Sequence, residues 1–523
     1  MNKRFRKIKA LSLLLVLILT VSQPLSVLGA TSDLDEIGNV GEGIVSDELI
    51  VDSETVDLNS AADESVSEQE KLPYGLTGMY EGFKVNAQDM HNKRDMAEHN
   101  VLGQLSALEA GVDYVEDEVF FLADSKEYAQ EVAKAYNAEL DSYRYGVAVL
   151  KLDLSKISVI EAVEAGMDIK LNLPHVEPNY YGYIEPEITD DQAAADTGIA
   201  AYSDVSERQS YSSLYGTYVH DPYLNPTSNR YEWYHDMVNT YAAWGVTTGS
   251  SKVTVAVLDT GVSNHVEFGS RLTRAEVIPT AKDYNGHGTN VAGIIGAGFN
   301  STGGAGIAPN VNLLSVPVFS SNSAQTADII AGLRYVSGYD DYGNKIHERR
   351  ADIINMSIGT PAYQTDYCQV IRETREAGVT IVAAAGNEYT NSHKYPAAYD
   401  GVIAVAAVYP NSEKIGFSNY GDFVDIAAPG WNMWSAYNGA QEVSGGVNVY
   451  SDTATHSEYC KMSGTSQATP VIAGACALYM SAVGHVSPDE MEAVLKRSTN
   501  KPLSAGMGAG VIDLAKMFEA DRS

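Results

Sequence analysis

Val253-Thr254-Val255-Ala256-Val257-Leu258 is an apolar run of the kind that forms a strand buried on both faces of a parallel sheet. It predicts an α/β domain, and Asp259-Thr260-Gly261 stands at the strand's C-terminal end, where such sheets build their sites. Two later segments carry complementary chemistry. Asn285-Gly286-His287-Gly288-Thr289 leads into a helix-like run from Asn290 to Gly296, and the flanking glycines let backbone crowd close to the imidazole. Met462 to Pro470 precedes a strongly apolar helix from Val471 to Ala482. Pro470 is tolerated there only if Ser466 lies within the first turn, at a helix N-terminus whose N–H groups and dipole favour a developing negative charge.

A serine hydroxyl needs a neighbouring base, and that base needs a third group to fix its tautomer. Asp259, His287 and Ser466 are candidates for those roles. Taken singly, Asp259 reads equally as a helix cap, His287 as a core histidine or metal ligand, and Ser466 as an N-cap. Their joint occurrence, each in its own structural context, favours the catalytic reading.

The chain has 523 residues, long enough for two to four domains. Lys+Arg 35 against Asp+Glu 68 give a formal net charge of −33, which disfavours nucleic acid and anionic membranes as partners. Most of that acidity lies in the front half, since residues 221–523 hold 29 acidic and 19 basic side chains. Lys3 to Lys9 precede an apolar run from Ala10 to Val21, then Pro24, Gly29 and Ala30, the pattern of a secretory signal peptide over residues 1–30. The run is too short for a membrane span. From Thr31 to Glu70 there are thirteen acidic residues and no basic one, so 31–72 reads as a disordered acidic segment. No anchoring signal is read at the C-terminus, and the product is expected to be a soluble, extracellular monomer without membrane insertion after the leader is removed. Cys368, Cys460 and Cys476 allow at most one bridge, with Cys368 to Cys460 the pairing left open.

Within 73–183 the period changes in a readable order. Val119 to Ala123 reads as a strand, Asp124 as the N-cap of a helix burying Ala129, Val132, Ala133 and Tyr136, and Gly146 to Leu152 as a second strand. Val159 to Ala165 reads as a helix and Val176 to Tyr181 as a last strand. The core from about residue 115 therefore suits a small α+β ferredoxin-like sheet. Residues 184–220 lack periodicity and read as a linker.

The order Asp259, His287, Ser466 and the words around them resemble the subtilisin family of serine proteases over nearly all of 221–523, and subtilisin's own chain order of the three residues is the standard against which the match is judged. The resemblance implies a subtilisin-like α/β fold, a serine endopeptidase acting on polypeptides, and no cofactor for the chemistry. It places the oxyanion-hole amide at Asn387, after Ile381 to Gly386. It also implies substrate-binding roles for Ser357, Ile358 and Gly359 in Asn355-Met356-Ser357-Ile358-Gly359, and for Ala384, Gly386, Glu388 and Lys394, and a cis peptide at Pro396. Asp221, Glu267 and Asn300 match ligands of the family's structural calcium site. The unit ending in Glu177-Pro178-Asn179-Tyr180 resembles the family's propeptide, an intramolecular inhibitor, with the maturation site in the linker. Asn290 stands where the family often has His, and about Gly338 to Arg350 and Asn432 to Cys460 look inserted. Two other readings stay open: an inert protein-binding scaffold of the same fold, and a serine esterase, which the missing Gly-x-Ser-x-Gly disfavours.

Overall fold

The computed structural model of the chain describes residues 76, 83, 85–184, 221–278, 282–439, 449–452, 457–500 and 504–519. The leader at 1–30, the acidic segment at 31–72 and the linker from 185 to 220 lie outside the described residues.

Two helices that periodicity did not suggest open the described chain. α1 (Ala87–Glu98) is capped by Asn86, which accepts from the Asp89 N–H, and α2 (Val101–Ser106) follows a left-handed turn at Asn100. The buried side of α1 carries Asp89, Asn92 and Lys93 beside Met96. A polar face of that kind leaves no apolar stripe to read.

The expected α+β unit follows as β1 (Tyr114–Leu122), α3 (Lys126–Ala135), β2 (Ala138–Arg144), β3 (Val147–Leu152), α4 (Val159–Met167) and β4 (Glu177–Ile184). Its antiparallel order β4-β1-β3-β2 is ferredoxin-like. It has one strand more than the sequence suggested, because β2 is nowhere fully buried and offers no apolar run. The cap of α3 is Ser125 rather than Asp124: the Ser125 hydroxyl accepts from the Tyr128 N–H at 3.1 Å. α4 begins with a capping box between Ser158 and Glu161.

The larger part runs β5 (Thr254–Asp259), β6 (Leu272–Arg274), α5 (His287–Gly296), β7 (Asn312–Pro317), β8 (Ser323–Gln325), α6 (Thr326–Ser337), β9 (Ile353–Met356), β10 (Ile358–Gly359) and α7 (Thr365–Glu376). It continues with β11 (Thr380–Ala384), β12 (Ile403–Val408), β13 (Ile426–Pro429), β14 (Met433–Tyr437), β15 (Val449–Asp452), β16 (Ser457–Met462), α8 (Thr465–Val483), β17 (Thr499–Asn500) and β18 (Val511–Ile512). The main sheet has the order β17-β18-β13-β12-β11-β9-β5-β7-β6 and is parallel except for the β17–β18 pair.

Helices cover both faces of this sheet. Ala256 and Leu258 of β5 pack into one core with Ile330 of α6 and Val370 of α7, and Val255 and Val257 into another with Ile294 of α5 and Val471 of α8. The first core continues into the α+β unit through Val119 and Leu150, so α6 and α7 are sandwiched between two sheets. β14, β15 and β16 form a separate antiparallel sheet in the stretch read as the second insertion. The bridge left open between Cys368 and Cys460 is not formed, since all three cysteines are free. Among the described residues no single helix is long and apolar enough to cross a membrane.

Candidate active site

Parallel pairing of β5 with β7 and β9 brings Asp259 to the C-terminal edge of the sheet, fully buried. His287 is the first residue of α5, and its Nδ1 lies 2.8 Å from Asp259 Oδ1. A carboxylate can only accept, so Nδ1 carries the proton and Nε2 is the basic nitrogen. A Cβ on Gly288 would strike Gly261 O and come within 3.1 Å of Asp259 Oδ1, so the close approach requires glycine there. Gly286, at φ 79°, is the residue from which α5 starts.

Ser466 is the second residue of α8, buried, with its Oγ making no hydrogen bond among the described residues. Its carbonyl accepts from Ser357 Oγ at 3.0 Å, and Asn355 Nδ2 donates to that hydroxyl at 3.1 Å. Asn387 follows β11, and its Oδ1 accepts from both the N–H and the hydroxyl of Thr465, each at 2.9 Å. Two donors fix that oxygen, so the NH2 of the carboxamide is turned to the other side, beside Gly464. The main-chain turn depends on Gly386, at φ 106°. Ala384, two residues before it, is the buried last residue of β11.

The end of β4 lies in the middle of a three-stranded antiparallel arrangement, pairing Ile184 with Ile358 and Tyr183 with Gly359 of β10, and Tyr181 with Gln325 and Gly182 with Ala324 of β8. A Cβ on Gly182 would lie 2.9 Å from Ile329 Cδ1 and 3.3 Å from Ile358 Cγ2. The residues just upstream explain the Glu177-Pro178-Asn179-Tyr180 run. Neither α6 nor α7 has a side-chain cap of its own. Glu177 accepts from the Thr365 and Asp366 N–H groups at 2.7 and 3.3 Å, and Asn179 Oδ1 accepts from Ala327 N at 3.2 Å, so β4 caps both helices.

Residues 250–510 match the Subtilase family. The chain is 36% identical over 254 residues to a thermostable alkaline protease of Halalkalibacterium halodurans, covering 48% of this chain and 62% of that protein. It is 33% identical over 275 residues to subtilisin DY of Bacillus licheniformis, covering 50% of this chain and 90% of that one. The chain belongs to the subtilase family. It spans about three-fifths of the length of the first of these relatives. The crystal structure of fervidolysin from Fervidobacterium pennivorans, a keratinolytic enzyme related to subtilisin, shares the fold with a TM-score of 0.60 at 23% identity. That likeness covers 79% of this chain and 62% of the other.

Around this subtilase site lie residues that sequence reasoning passed over. Asp283 accepts at Oδ1 from Thr260 Oγ1 at 2.7 Å and Gly286 N at 3.0 Å, and at Oδ2 from the N–H and hydroxyl of Thr289. Thr260 in turn accepts from Gly288 N at 3.0 Å. Asp283 thus holds the start of α5 against the strand that carries Asp259. Burial, helped by the Asp259 charge, pushes its carboxyl up to about 6. Its only sequence signal is the spacing of four residues to His287. Asn290, at the subtilase position often occupied by His, is buried and donates to Cys460 Sγ at 3.5 Å.

Glu388 and Lys394 form an ion pair, and Glu388 Oε2 also accepts from Asn419 Nδ2 at 2.7 Å. The Tyr395–Pro396 peptide is cis, as expected. Asp221, Glu267 and Asn300 do come together: Asp221 Oδ1 accepts from Asn300 N and Ser301 N at 3.2 and 2.6 Å, and Glu267 Oε2 from Asn300 Nδ2 at 2.8 Å. Glu232, unnoticed in the sequence, is a third buried acid beside them, and Tyr459 of β16 donates to Glu267 Oε1 at 2.6 Å. Burial and the neighbouring acids push Glu267 up to about 9. No three His, Cys, Asp or Glu side chains among the described residues form a ready metal cluster. Still, a donor set of buried hard oxygens fits a calcium-type cation.

Proposed function

We propose that the chain is a secreted serine endopeptidase of the subtilisin type, made as a precursor inhibited by its own N-terminal α+β unit. The observation that carries the reading is the buried Asp259–His287 hydrogen bond of 2.8 Å, in a chain whose Ser466 is buried in the first turn of α8. His287 Nε2 takes the proton of Ser466 Oγ as that oxygen attacks the scissile carbonyl carbon. The N–H of Ser466 and the side-chain NH2 of Asn387 hold the oxyanion, and His287 then protonates the leaving amine. Water completes the reverse sequence on the acyl-enzyme. Asp259 holds the imidazole tautomer and stabilises the imidazolium.

Polypeptide is the fitting substrate because β8 and β10 offer an extended segment main-chain hydrogen bonds on both edges. The seating of Tyr181 to Ile184 between those strands supports the inhibitor role, since the tail occupies the place a substrate strand would take. Ser357, Ile358, Gly359, Ala384, Gly386, Glu388 and Lys394 then line the substrate path. Asp221, Glu267 and Asn300 would hold a structural calcium, which ties the segment at 221 to the loop at 300 and takes no part in the chemistry.

Intact mass of the secreted protein tests the reading, wild type beside Ser466→Ala. The wild type should shorten by roughly the mass of residues 31 to 200 while the variant stays long. A Ser466→Ala chain that shortens equally and still hydrolyses peptides refutes it.

A further inference from the structure

The stretch from Gly338 to Arg350 has no role in the chemistry above, and it lies away from the cleft strands. It folds into a small hairpin, with a bridge between Tyr339 and Lys345 and with Asp340 Oδ1 accepting from Tyr342 N and Asn344 N at 3.0 and 2.8 Å. Its tip meets the turn between β2 and β3. Tyr145 N donates to Asp341 O at 3.2 Å, and the Tyr143 hydroxyl lies 3.0 Å from Tyr342 O. Both backbones turn through left-handed residues at the meeting point, Tyr145 and Gly146 at φ 53° and 77°, and Gly343 at φ 80°. A Cβ on Gly343 would lie 2.7 Å from Gly146 Cα, and a Cβ on Gly146 would strike the Arg334 guanidinium. Only two glycines facing each other permit this approach.

The catalytic side of the contact is braced from beneath. Arg334 donates to Tyr145 O at 3.1 Å, stacks 4.6 Å over the Tyr339 ring, and pairs with Glu373 at 3.3 Å. The Tyr145 ring meets Tyr335 edge-on at 5.8 Å, and Arg350 lies 4.4 Å over the other ring of that pair. A hydrophilic loop with no recognition role has no need of such matched turns, nor of an arginine whose donors end on the opposing backbone.

We propose that the Gly338–Arg350 insertion, with Arg334, is a docking surface for the β2–β3 hairpin tip of the chain's own N-terminal unit, a second anchorage distinct from the cleft. The partner it fits is a β-hairpin whose tip carries an aromatic residue followed by glycine. This rests on the reading of that unit as an inhibitor, and it adds selectivity: a related inhibitor with a different hairpin tip would enter the cleft yet lose the second contact.

The test is dilution of the processed, still-associated full-length protein, with hydrolysis of a small chromogenic peptide as readout. Tyr145→Ala leaves the catalytic part unaltered in sequence, and Gly343→Val obstructs the contact from the other side. Both should raise the concentration at which half-maximal activity is restored by about tenfold, Tyr145→Ala because it removes the ring packed against Tyr335 and Gly343→Val because its side chain would strike Gly146, each on the scale of one lost aromatic pair. The final rate should match wild type. Dilution curves superimposed on wild type for both variants overturn the proposal.

Hydrogen exchange on full-length Ser466→Ala gives a readout independent of activity. Adding Tyr145→Ala should speed exchange at residues 340–346 and leave β5 and β11 unchanged, and unaltered exchange at 340–346 also overturns the docking claim. A wild type without peptide hydrolysis refutes the enzymatic reading instead, and the exchange experiment still decides the docking.

Discussion

Replacing His175 with leucine in the full-length Ser466→Ala protein should release the N-terminal helices from the catalytic part. His175 is 4% exposed, with Nδ1 at 3.0 Å from Asp89 Oδ1 on α1 and Nε2 at 2.9 Å from Asp366 Oδ1 on α7. Two carboxylates on two ring nitrogens are satisfied only by the imidazolium, because the neutral ring has one N–H. Burial opposes the charge, but Asp366 and Asp89 outweigh it and lift the histidine from 6.5 to about 10. At about 1.4 kcal/mol per unit that displacement amounts to about 5 kcal/mol as an upper figure. Removing one partner of a buried ion pair costs about 3–5 kcal/mol by direct comparison, so the two routes agree.

The folded value lies above the unfolded one, so this stabilisation is complete below about pH 6.5 and is lost as pH rises through about 10. Glu177, raised by burial and the Asp366 charge, titrates in the same sense. Amide exchange of α1 measured near pH 6 should accelerate at least about a hundredfold in His175→Leu, the equivalent of about 3 kcal/mol. Near pH 10.5 the two proteins should converge. Equal protection of α1 at pH 6, or a difference of the same size at both pH values, would show that a buried His175 imidazolium does not hold α1 in place.

Three further outcomes follow from the site. Asn387→Ala should lower kcat by about 10²–10³ with little change in KM; that range is subtilisin's own, carried over by kinship, and a kcat within about threefold of wild type removes Asn387 from the oxyanion hole. Gly182→Val places methyl groups against Ile329 and Ile358, and overpacking at about 1–3 kcal/mol should raise the dilution midpoint of the processed precursor about tenfold, whereas an unchanged midpoint means the tail is not seated between β8 and β10. Chelation should lower the melting temperature of the matured protein through the Asp221, Glu267 and Asn300 set, and an unaltered melting curve disposes of the calcium.

Much of the site was legible because its groups sit at element ends that sequence punctuates. An apolar run hands over Asp259, paired glycines frame His287, and Pro470 fixes Ser466 near a helix start; these are local requirements, written in adjacent residues. The α+β unit was legible wherever an apolar stripe existed, and β2 and α1 escaped where the buried or paired face is polar. The cap of α3 fell on the neighbouring residue, a choice between Asp124 and Ser125 that backbone geometry makes.

Local stretches of the chain carry the α/β class and the kinship, because each depends on residues whose neighbours are already adjacent in the sequence. Tertiary structure alone decided who caps whom. Glu177 and Asn179 cap α6 and α7 from more than 140 residues away, Asp283 braces Asp259 through Thr260, and Gly343 finds Gly146. Such pairings bring together groups distant in sequence, whose satisfaction depends on the whole packed arrangement, and no local pattern encodes a distant partner.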